Sequence, residues 1–199
     1  MRPTRSYRWS LVVCVMIGVG LYTAPDRAHA FTGQARAVQT TVGGGQGPVT
    51  TAFADTGPLG GPHDARDASL LQWTIPSLLT GDVLHATTIG WDDRVASEAS
   101  LGNLVLSIAG NTITADFVMA SAKAVAGPTA TGNSVVSGLF VNGLPILATG
   151  EPNQRIDLLG GYLLINELQS SPGSAIVNAL HIVITGVADV VIASAIASL

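Results

Sequence analysis

The chain has 199 residues, of which 47% are hydrophobic and only 11% are charged, and its net charge is −4 at neutral pH. Such a sparsely charged and acidic chain argues against nucleic acids and anionic membrane surfaces as partners. The single cysteine excludes a disulfide scaffold, so the stability of the protein has to come from a packed core.

The first 30 residues have the layout of a secretory signal peptide. Three arginines precede an uncharged, mostly apolar run of 14 residues, Trp9 to Tyr22, and a polar stretch then ends in the small-x-small site Ala28-His29-Ala30. The run is too short for a membrane anchor, which needs about 20 apolar residues. Cleavage of the signal peptide removes Cys14, the single cysteine of the chain. Exported chains without cysteine are more usual in bacteria than in animals. We therefore expect a secreted bacterial protein, cleaved after Ala30, whose single mature domain covers residues 31–199.

The mature sequence combines β-branched residues, alanine and glycine, with frequent turn signals and no sustained helical period. This pattern predicts an all-β fold of roughly ten or eleven strands. An antiparallel sandwich is favoured, an irregular barrel is second and a β-solenoid third, because no fixed repeat is present. The predicted strands are Phe31–Val42, Val49–Ala54, Ser69–Ile75, Asp82–Trp91, Arg94–Ser107, Asn111–Ala124, Ser134–Val141, Leu144–Ala148, Arg155–Leu159, Tyr162–Leu168 and the two arms of Ser174–Leu199.

Glycine, proline and polar clusters predict where the strands are interrupted. Asp55–Asp67 and Gly127–Asn133 are expected to be surface loops, and Asn166-Glu167 is expected to end a strand. Asn142-Gly143 is the strongest hairpin signal in the chain. Ser174–Leu199 holds two β-branched runs around a short turn at Gly186. It predicts a terminal hairpin around which the rest of its sheet is built.

Strict alternation along a strand predicts which side chains share a face. In Asn111–Ala124 it places Phe117 on the same face as Ile113. In the terminal hairpin it places Asn178 and His181 on opposite faces, so these two side chains are not expected to pair. Asn178 is interpreted as a buried amide that satisfies backbone groups, and His181 as a structural histidine.

One predicted loop brings a histidine and two carboxylates together. His63, Asp64 and Asp67 offer ligand types that a divalent cation accepts. A complete calcium loop needs more oxygen ligands at alternating positions, so a solvated loop is the favoured interpretation. His85 falls in the middle of a strand and is expected to be half-buried and structural. The sequence therefore leads us to assign no metal site and no cofactor.

No residue pattern predicts a catalytic site. Serines occur without a G-x-S-x-G turn. Ser121 and Lys123 share a strand face and could form a Ser-Lys pair, although an exposed lysine at a sheet edge is the favoured interpretation. Asp92 and Asp93 fall on a predicted turn, and a glycosidase pair would combine carboxylates from distant segments. We assign no catalytic residue.

Three parts of the mature chain resemble a known family. The matching stretches are A-F-T-G at Ala30–Gly33, T-G-E-P-N-Q-R-I-D-L with I-N-E at Thr149–Leu158 and Ile165–Glu167, and V-N-A-L-H-I-V-I with D-V-V-I-A-S-A at Val177–Ile184 and Asp189–Ala195. Together they resemble the choice-of-anchor P family of secreted bacterial proteins. The resemblance implies an exported domain that carries different C-terminal anchors in different members, and it implies no activity. Because no sorting motif or apolar span follows the domain, we expect a released or non-covalently associated protein.

These observations predict a non-enzymatic secreted β-domain with a surface, adhesive or matrix role, whose partners are cell-surface or matrix components. The alternative is an extracellular carbohydrate-binding module or hydrolase that uses Trp73, Trp91 or Tyr162 as a sugar platform. Two exposed rings on one concave face beside a carboxylate such as Glu98 would favour sugar binding. Burial of all three rings would contradict it.

Overall fold

The computed structural model describes residues 31–43 and 47–199. The predicted signal peptide, which ends at Ala30, lies outside these residues, and so does Cys14. No helix in the described part of the chain is long and apolar enough to cross a membrane.

The described residues form thirteen strands, all paired antiparallel. The strands are β1 (Thr32–Val42), β2 (Val49–Asp55), β3 (Ala65–Ile75), β4 (Leu79–Gly90), β5 (Arg94–Ile108), β6 (Asn111–Val125), β7 (Thr129–Ser137), β8 (Phe140–Val141), β9 (Leu144–Pro145), β10 (Gln154–Leu158), β11 (Gly161–Ser171), β12 (Ser174–Ile184) and β13 (Ala188–Ser198). The all-β prediction is confirmed, with more strands than the ten or eleven expected.

The strands form two sheets with a shared hydrophobic core between them. The first sheet has the order β10-β11-β12-β13-β1-β2. The second has the order β3-β4-β5-β6, and β6 then pairs with β7 along one half and with β8, followed by β9, along the other. This is the predicted sandwich. The predicted terminal hairpin, β12 and β13, lies in the middle of the first sheet.

One of the two expected loops is mostly strand. Gly127–Asn133 was expected to be a loop, but β7 begins at Thr129 and pairs with β6. Gly132 faces the first sheet, where the side chains of Val177 and Leu168 occupy the space that a β-carbon would need. This glycine therefore permits close packing instead of forming a turn.

The other expected loop, Asp55–Asp67, is shorter and joins the two sheets. It ends at Asp64, because β3 begins at the next residue. Leu59 is buried, and its backbone N–H donates to the carbonyl oxygen of Gly33 in β1. The N–H of Gly90 in β4 donates to the carbonyl oxygen of Asp64. These two hydrogen bonds attach the loop to β1 in the first sheet and to β4 in the second.

A row of irregular positions crosses the first sheet. At one level of the sheet, five neighbouring strands each contain a residue that is skipped in the strand pairing. These residues are Ala54, Ala37, Ala193, Ala179 and Asn166. Ala54, Ala193 and Asn166 have positive φ angles of 45°, 53° and 54°. A left-handed residue inside a strand bends it and shifts the alternation of side chains beyond that point. In each strand, the alternation between inward-pointing and outward-pointing side chains therefore shifts by one residue at this row.

This row decides where Asn178 and His181 point. Ala179 and Leu180 are both buried, although they are adjacent in sequence. Asn178 and His181, on either side of them, therefore both lie on the outer face of the first sheet. The prediction of opposite faces was wrong, because strict alternation does not hold across Ala179.

A similar row crosses the second sheet. Val83 in β4 and Asn103 in β5 have positive φ angles of 50° and 49°, and Asp116 in β6 drops out of the register beside Asn103. Beyond this row the alternation is shifted again. Ile113 is buried, whereas Phe117 is 38% exposed. The predicted common face of Ile113 and Phe117 is therefore wrong for the same physical reason.

The two rows divide the core into a thick half and a thin half. The thick half holds large aliphatic side chains, which are Leu104, Leu106, Ile113, Leu163, Leu180, Ile182 and Ile192. The thin half is lined mainly by alanines, which are Ala35, Ala99, Ala120, Ala122, Ala175, Ala195 and Ala197. There the hydroxyl of Ser97 in β5 donates to the backbone carbonyl oxygen of Ile196 in β13 at 2.6 Å. Stacked sheets are ordinarily about 10 Å apart, so we infer that the second sheet bends toward the first in this half.

The variant Ala193→Gly is expected to leave the free energy of unfolding unchanged or slightly raised. Alanine pays a conformational cost of about 1 kcal/mol at the left-handed φ of Ala193, and glycine avoids it. Ala179 lies beside it in the same row without a positive φ, so Ala179→Gly is the matched control. The control should destabilise by about 1 kcal/mol in urea-induced unfolding. Equal losses in the two variants would contradict the strain assigned to Ala193.

Candidate functional site

A groove of about 480 Å³ lies on the outer face of the second sheet, over the thin half of the core. The outward-facing side chains that line it come from β4, β5, β6 and β7. They are Thr87, Ile89, Ala96, Glu98, Ser121, Lys123, Thr131 and Asn133. Because the sheet bends inward over the alanine-rich half, its outer face is concave at this place.

Alternation and register together bring the groove side chains next to one another. Ala96 and Glu98 point outward from β5 because Ser97, between them, is buried. Ser121 and Lys123 point outward from β6, as the sequence predicted. Glu98 lies opposite Ser121, and Ala96 lies opposite Lys123. Glu98 and Lys123 are therefore diagonal neighbours, with β-carbons about 7 Å apart. Spacing along one strand could not reveal this neighbour.

Two basic side chains on this face lack a carboxylate partner. The described residues include five basic residues. Arg36, Arg66 and Arg155 each contact a carboxylate oxygen, at 2.8, 2.9 and 3.0 Å. Arg94 and Lys123 have no carboxylate oxygen within 4.0 Å in the part of the chain that the structure describes.

Arg94 lies on the same outer face but is not among the side chains that line the groove. It stands two residues before Ala96 on the same face of β5 and lies opposite Val125 in β6. Its guanidinium carbon is 4.4 Å from the centroid of the Trp91 ring, and this cation–π contact holds the side chain in place. Asp92 and Asp93 directly precede Arg94 in the chain, and Glu98 is a diagonal neighbour of Lys123, so carboxylates lie near both cations.

Ser121 and Lys123 share the groove without forming a hydrogen bond to each other. The Ser121 hydroxyl instead donates to the carbonyl oxygen of Asn133, at 3.5 Å, and Lys123 is exposed. A serine activated by a lysine needs the two side chains within about 3 Å of each other and a desolvated amine. The arrangement suits contacts with a ligand better than activation of a nucleophile.

A second cluster of titratable side chains lies on the outer face of the first sheet. His181 Nδ1 is 2.9 Å from Glu167 Oε2, and His181 Nε2 is 3.1 Å from Asp189 Oδ1. The side-chain amide of Asn178 donates to the same oxygen of Glu167 at 2.6 Å. The side chains of His181 and Glu167 are only 17% and 13% exposed. The interpretation of Asn178 as a buried amide bonded to the backbone was therefore wrong, since its partner is a carboxylate.

These contacts favour the charged forms of both partners. The hydrogen bond with Glu167 raises the pKa of His181 above its ordinary value of 6.5, although burial opposes the shift. The hydrogen bond with His181 lowers the pKa of Glu167 below its ordinary value of 4.5. Because both ring nitrogens face carboxylates, neither is free to serve as a general base toward a substrate. The cluster suits a structural role.

Sequence reasoning missed Glu167 as the partner of His181. Asn166-Glu167 was expected to end a strand, yet β11 continues to Ser171. The left-handed φ of Asn166 turns Glu167 to the outer face, and the register places it opposite Asn178. No signal within one strand indicates this contact, because it depends on the pairing of β11 with β12.

The structure separates the three residues considered for a metal. His63 Nε2 lies 3.0 Å from Asp92 Oδ1, with both side chains exposed. Asp64 instead pairs with Arg66 at 2.9 Å, and Asp67 lies further along β3. Within residues 31–43 and 47–199, no three His, Cys, Asp or Glu side chains are grouped as a metal site requires.

His85 lies in the middle of β4 and is half-buried, as expected. Its Nδ1 is 3.0 Å from the hydroxyl oxygen of Ser69 in the neighbouring strand β3. It has no carboxylate oxygen within 4.0 Å among the residues that the structure describes. It therefore differs from His181 in its electrostatic surroundings.

The three aromatic residues considered as a sugar platform lie apart. Trp73 packs against Phe53, with ring centroids 4.1 Å apart, at the margin of the core. Tyr162 lies on the outer face of the first sheet under Arg155. Trp91 lies under Arg94 and is not among the residues that line the groove. The structure therefore shows neither two rings on one concave face nor burial of all three.

The comparisons with known proteins found no relative of this chain. No protein-family model matches the chain, and no curated protein or solved structure matches it significantly. The resemblance to the choice-of-anchor P family stays a prediction from three stretches of sequence. The sandwich and the groove with its polar lining are thus the observations from which a function has to be inferred.

Proposed function

We propose that the protein is a secreted, non-enzymatic module of the cell surface or extracellular matrix, and that it acts by binding a partner through the groove. The groove and its polar side chains carry this proposal. A volume of about 480 Å³ falls in the range of about 300–1,000 Å³ that is typical of ligand sites. The groove presents both a cation, Lys123, and an anion, Glu98, to a partner.

The position of the groove on the fold supports a binding role. Its side chains project from four adjacent strands, and strands hold binding groups more rigidly than loops do. Thr87, Ser121, Thr131 and Asn133 supply both hydrogen-bond donors and acceptors along the groove. Export by residues 1–30 and the resemblance to the choice-of-anchor P family, both predicted from the sequence, support an extracellular place for this binding.

Sedimentation with insoluble envelope and matrix fractions of the producing bacterium tests the proposal. The wild-type exported protein should bind these fractions. Ser121→Trp fills the groove and should weaken binding at least about tenfold, which corresponds to about 1.4 kcal/mol. Ala52→Trp is the matched control, because Ala52 is exposed on the outer face of the first sheet opposite Gln39.

Two results would overturn the proposal. Wild-type binding by Ser121→Trp would show that the groove is not the binding surface. Release of soluble sugars or peptides from the fractions by the wild-type protein, at a rate far above that of Ser121→Trp, would show that the groove is catalytic.

A further inference from the structure

We infer that β2, an edge strand of the first sheet, pairs with β2 of a second copy of this chain in an antiparallel, two-fold symmetric dimer. The inference is independent of the groove and of its partner. β2 is the last strand in the order of its sheet, and within residues 31–43 and 47–199 no strand pairs with its second edge. The N–H and C=O groups along such an edge can bind another extended strand.

The sequence of β2 lacks the features that usually prevent pairing at an edge. Val49–Ala54 reads VTTAFA, six residues without a charge, a proline or a glycine. Edge strands are ordinarily protected by lysines and other charges, by prolines or by very short length. Uncharged six-residue segments of high β-propensity are instead typical of strands that pair between chains. Val49 is also 66% exposed, so an apolar side chain lies uncovered at this edge.

The opposite edge of the first sheet and one end of the second sheet are protected. β10 carries Arg155 and Asp157 within five residues. β9 is only two residues long and contains Pro145. These strands therefore show the protection that β2 lacks.

The two longer margins of the second sheet are also less suited to pairing. β3 begins with exposed charges at Arg66 and Asp67, and its pairing with β4 is interrupted at Leu71. β7 carries no charge, but Ala148 and Gly150 lie beside its residues 134–136 and cover part of it. β2 pairs regularly with β1 along all of residues 49–53. It is therefore the straightest uncharged edge in the described part of the chain.

Alternate residues of β2 present different side chains on its two faces. Thr51 and Phe53 lie opposite Thr40 and Val38 of β1, which are buried between the sheets. Thr51, Phe53 and also Val49 therefore share the inner face of β2. The inner face is apolar at both ends of this segment and carries a small hydroxyl group in its middle.

This pattern is self-complementary about Thr51. In an antiparallel pair centred on this residue, Thr51 faces Thr51 of the second copy and Val49 faces its Phe53. Aromatic and β-branched residues that face each other across two strands stabilise a sheet. The two-fold axis forms this contact twice. On the outer face, Thr50 lies opposite Ala52, and both side chains are small enough to leave the strands in register.

The distribution of charge favours a second copy at this edge. The chain is acidic, so two copies repel each other wherever their carboxylates meet. Asp55 is the one charged residue of β2, and Arg36 compensates it at 2.8 Å. In the register centred on Thr51, Asp55 lies opposite Gly47 of the second copy. No carboxylate of one β2 strand therefore faces a carboxylate of the other. Because each copy uses its β2 edge for the same contact, the assembly closes as a dimer.

Sedimentation equilibrium of the exported protein over a range of concentrations tests the inference. The wild type should show a reversible equilibrium between monomer and dimer. Thr51→Lys places two like charges opposite each other and should weaken the dimer at least about tenfold. Thr129→Lys is the matched control, since Thr129 is exposed at the start of β7 and should leave the dimer unchanged. Both substituted sites are exposed, so both variants should fold.

Two results of this measurement would overturn the inference. One is a wild-type protein that stays monomeric up to its highest soluble concentration. The other is a dimer that Thr51→Lys and the wild type form equally well.

Disulfide formation tests the register. Residues 31–199 contain no cysteine. Thr51→Cys should give a disulfide-linked dimer on mild oxidation, because β-carbons of directly opposite residues are about 5 Å apart. Thr50→Cys is the control, since in this register its two copies are diagonal neighbours about 7–8 Å apart, beyond the reach of a disulfide. Linkage of Thr50→Cys as readily as Thr51→Cys would contradict the pairing that we infer.

Discussion

Deletion of residues 187–199 is expected to abolish cooperative folding of the protein. These residues contain β13, which lies between β12 and β1 in the middle of the first sheet. Without it, β1 and β2 lose their pairing to the rest of the sheet, and two unpaired edges are exposed. The deletion also removes the buried side chains of Val190 and Ile192, which contribute about 1.5–3 kcal/mol each. These two side chains alone account for about 3–6 kcal/mol, against a typical domain stability of about 5–15 kcal/mol, and the lost pairing of β1 and β2 adds to this.

The measurement is the solubility of the truncated protein and its urea-induced unfolding. A soluble truncated protein with a single cooperative transition would contradict the central place of β13. A pair of point variants tests the same claim more finely. Ile192→Asn buries an unpaired amide between the sheets and should prevent folding, whereas Val191→Asn places the same amide on the outer face and should be tolerated.

The stability that His181 and Glu167 contribute should be greatest between about pH 4.5 and pH 6.5. The raised pKa of His181 gives stability that is fully present below its unfolded value of 6.5 and is lost as the pH rises through the folded value. The lowered pKa of Glu167 gives stability that is present above its unfolded value of 4.5 and is lost as the pH falls through the folded value. Both contributions are complete only in the window between the two unfolded values.

The variant His181→Gln measures this contribution. At about pH 5.5 it should lower the free energy of unfolding by about 2 kcal/mol, the value of a charge-assisted hydrogen bond that is largely shielded from water. As the pH rises through the folded pKa of His181, the difference from wild type should fall to less than half of this value. His85→Gln is the matched control. His85 is half-buried and bonds to the Ser69 hydroxyl, so this variant removes a histidine without removing an ion pair. A pH-independent difference for His181→Gln would show that the ion pairs add nothing to stability.

The sequence determined the class of fold because strands and turns are local features. Runs of β-branched residues between glycine-rich turns predicted the antiparallel strands, and all of the predicted strands are present in some form. Asn142-Gly143 joins β8 and β9 with left-handed φ angles of 51° and 77°, as its turn chemistry requires. The terminal hairpin is also present and lies centrally, because both of its arms are apolar enough to be covered on one face and paired on both edges.

The tertiary structure alone decided which side chains meet. Alternation predicts faces only while the register is regular, and the rows through Ala193 and Asn103 shift it in both sheets. Such a row arises because bent strands have to bend together to keep their hydrogen bonds, which no single strand reveals. For this reason the contact of His181 with Glu167 could not be predicted.

The groove likewise combines a feature that the sequence predicts with features that only the tertiary structure decides. The sequence predicted that Ser121 and Lys123 share a face, because this follows from a period of two within one strand. Glu98 joins them only through the pairing of β5 with β6. The concave surface needs, in addition, the alanines that let one sheet bend toward the other. Local residue preferences thus set the strands, and long-range pairing and packing set the site.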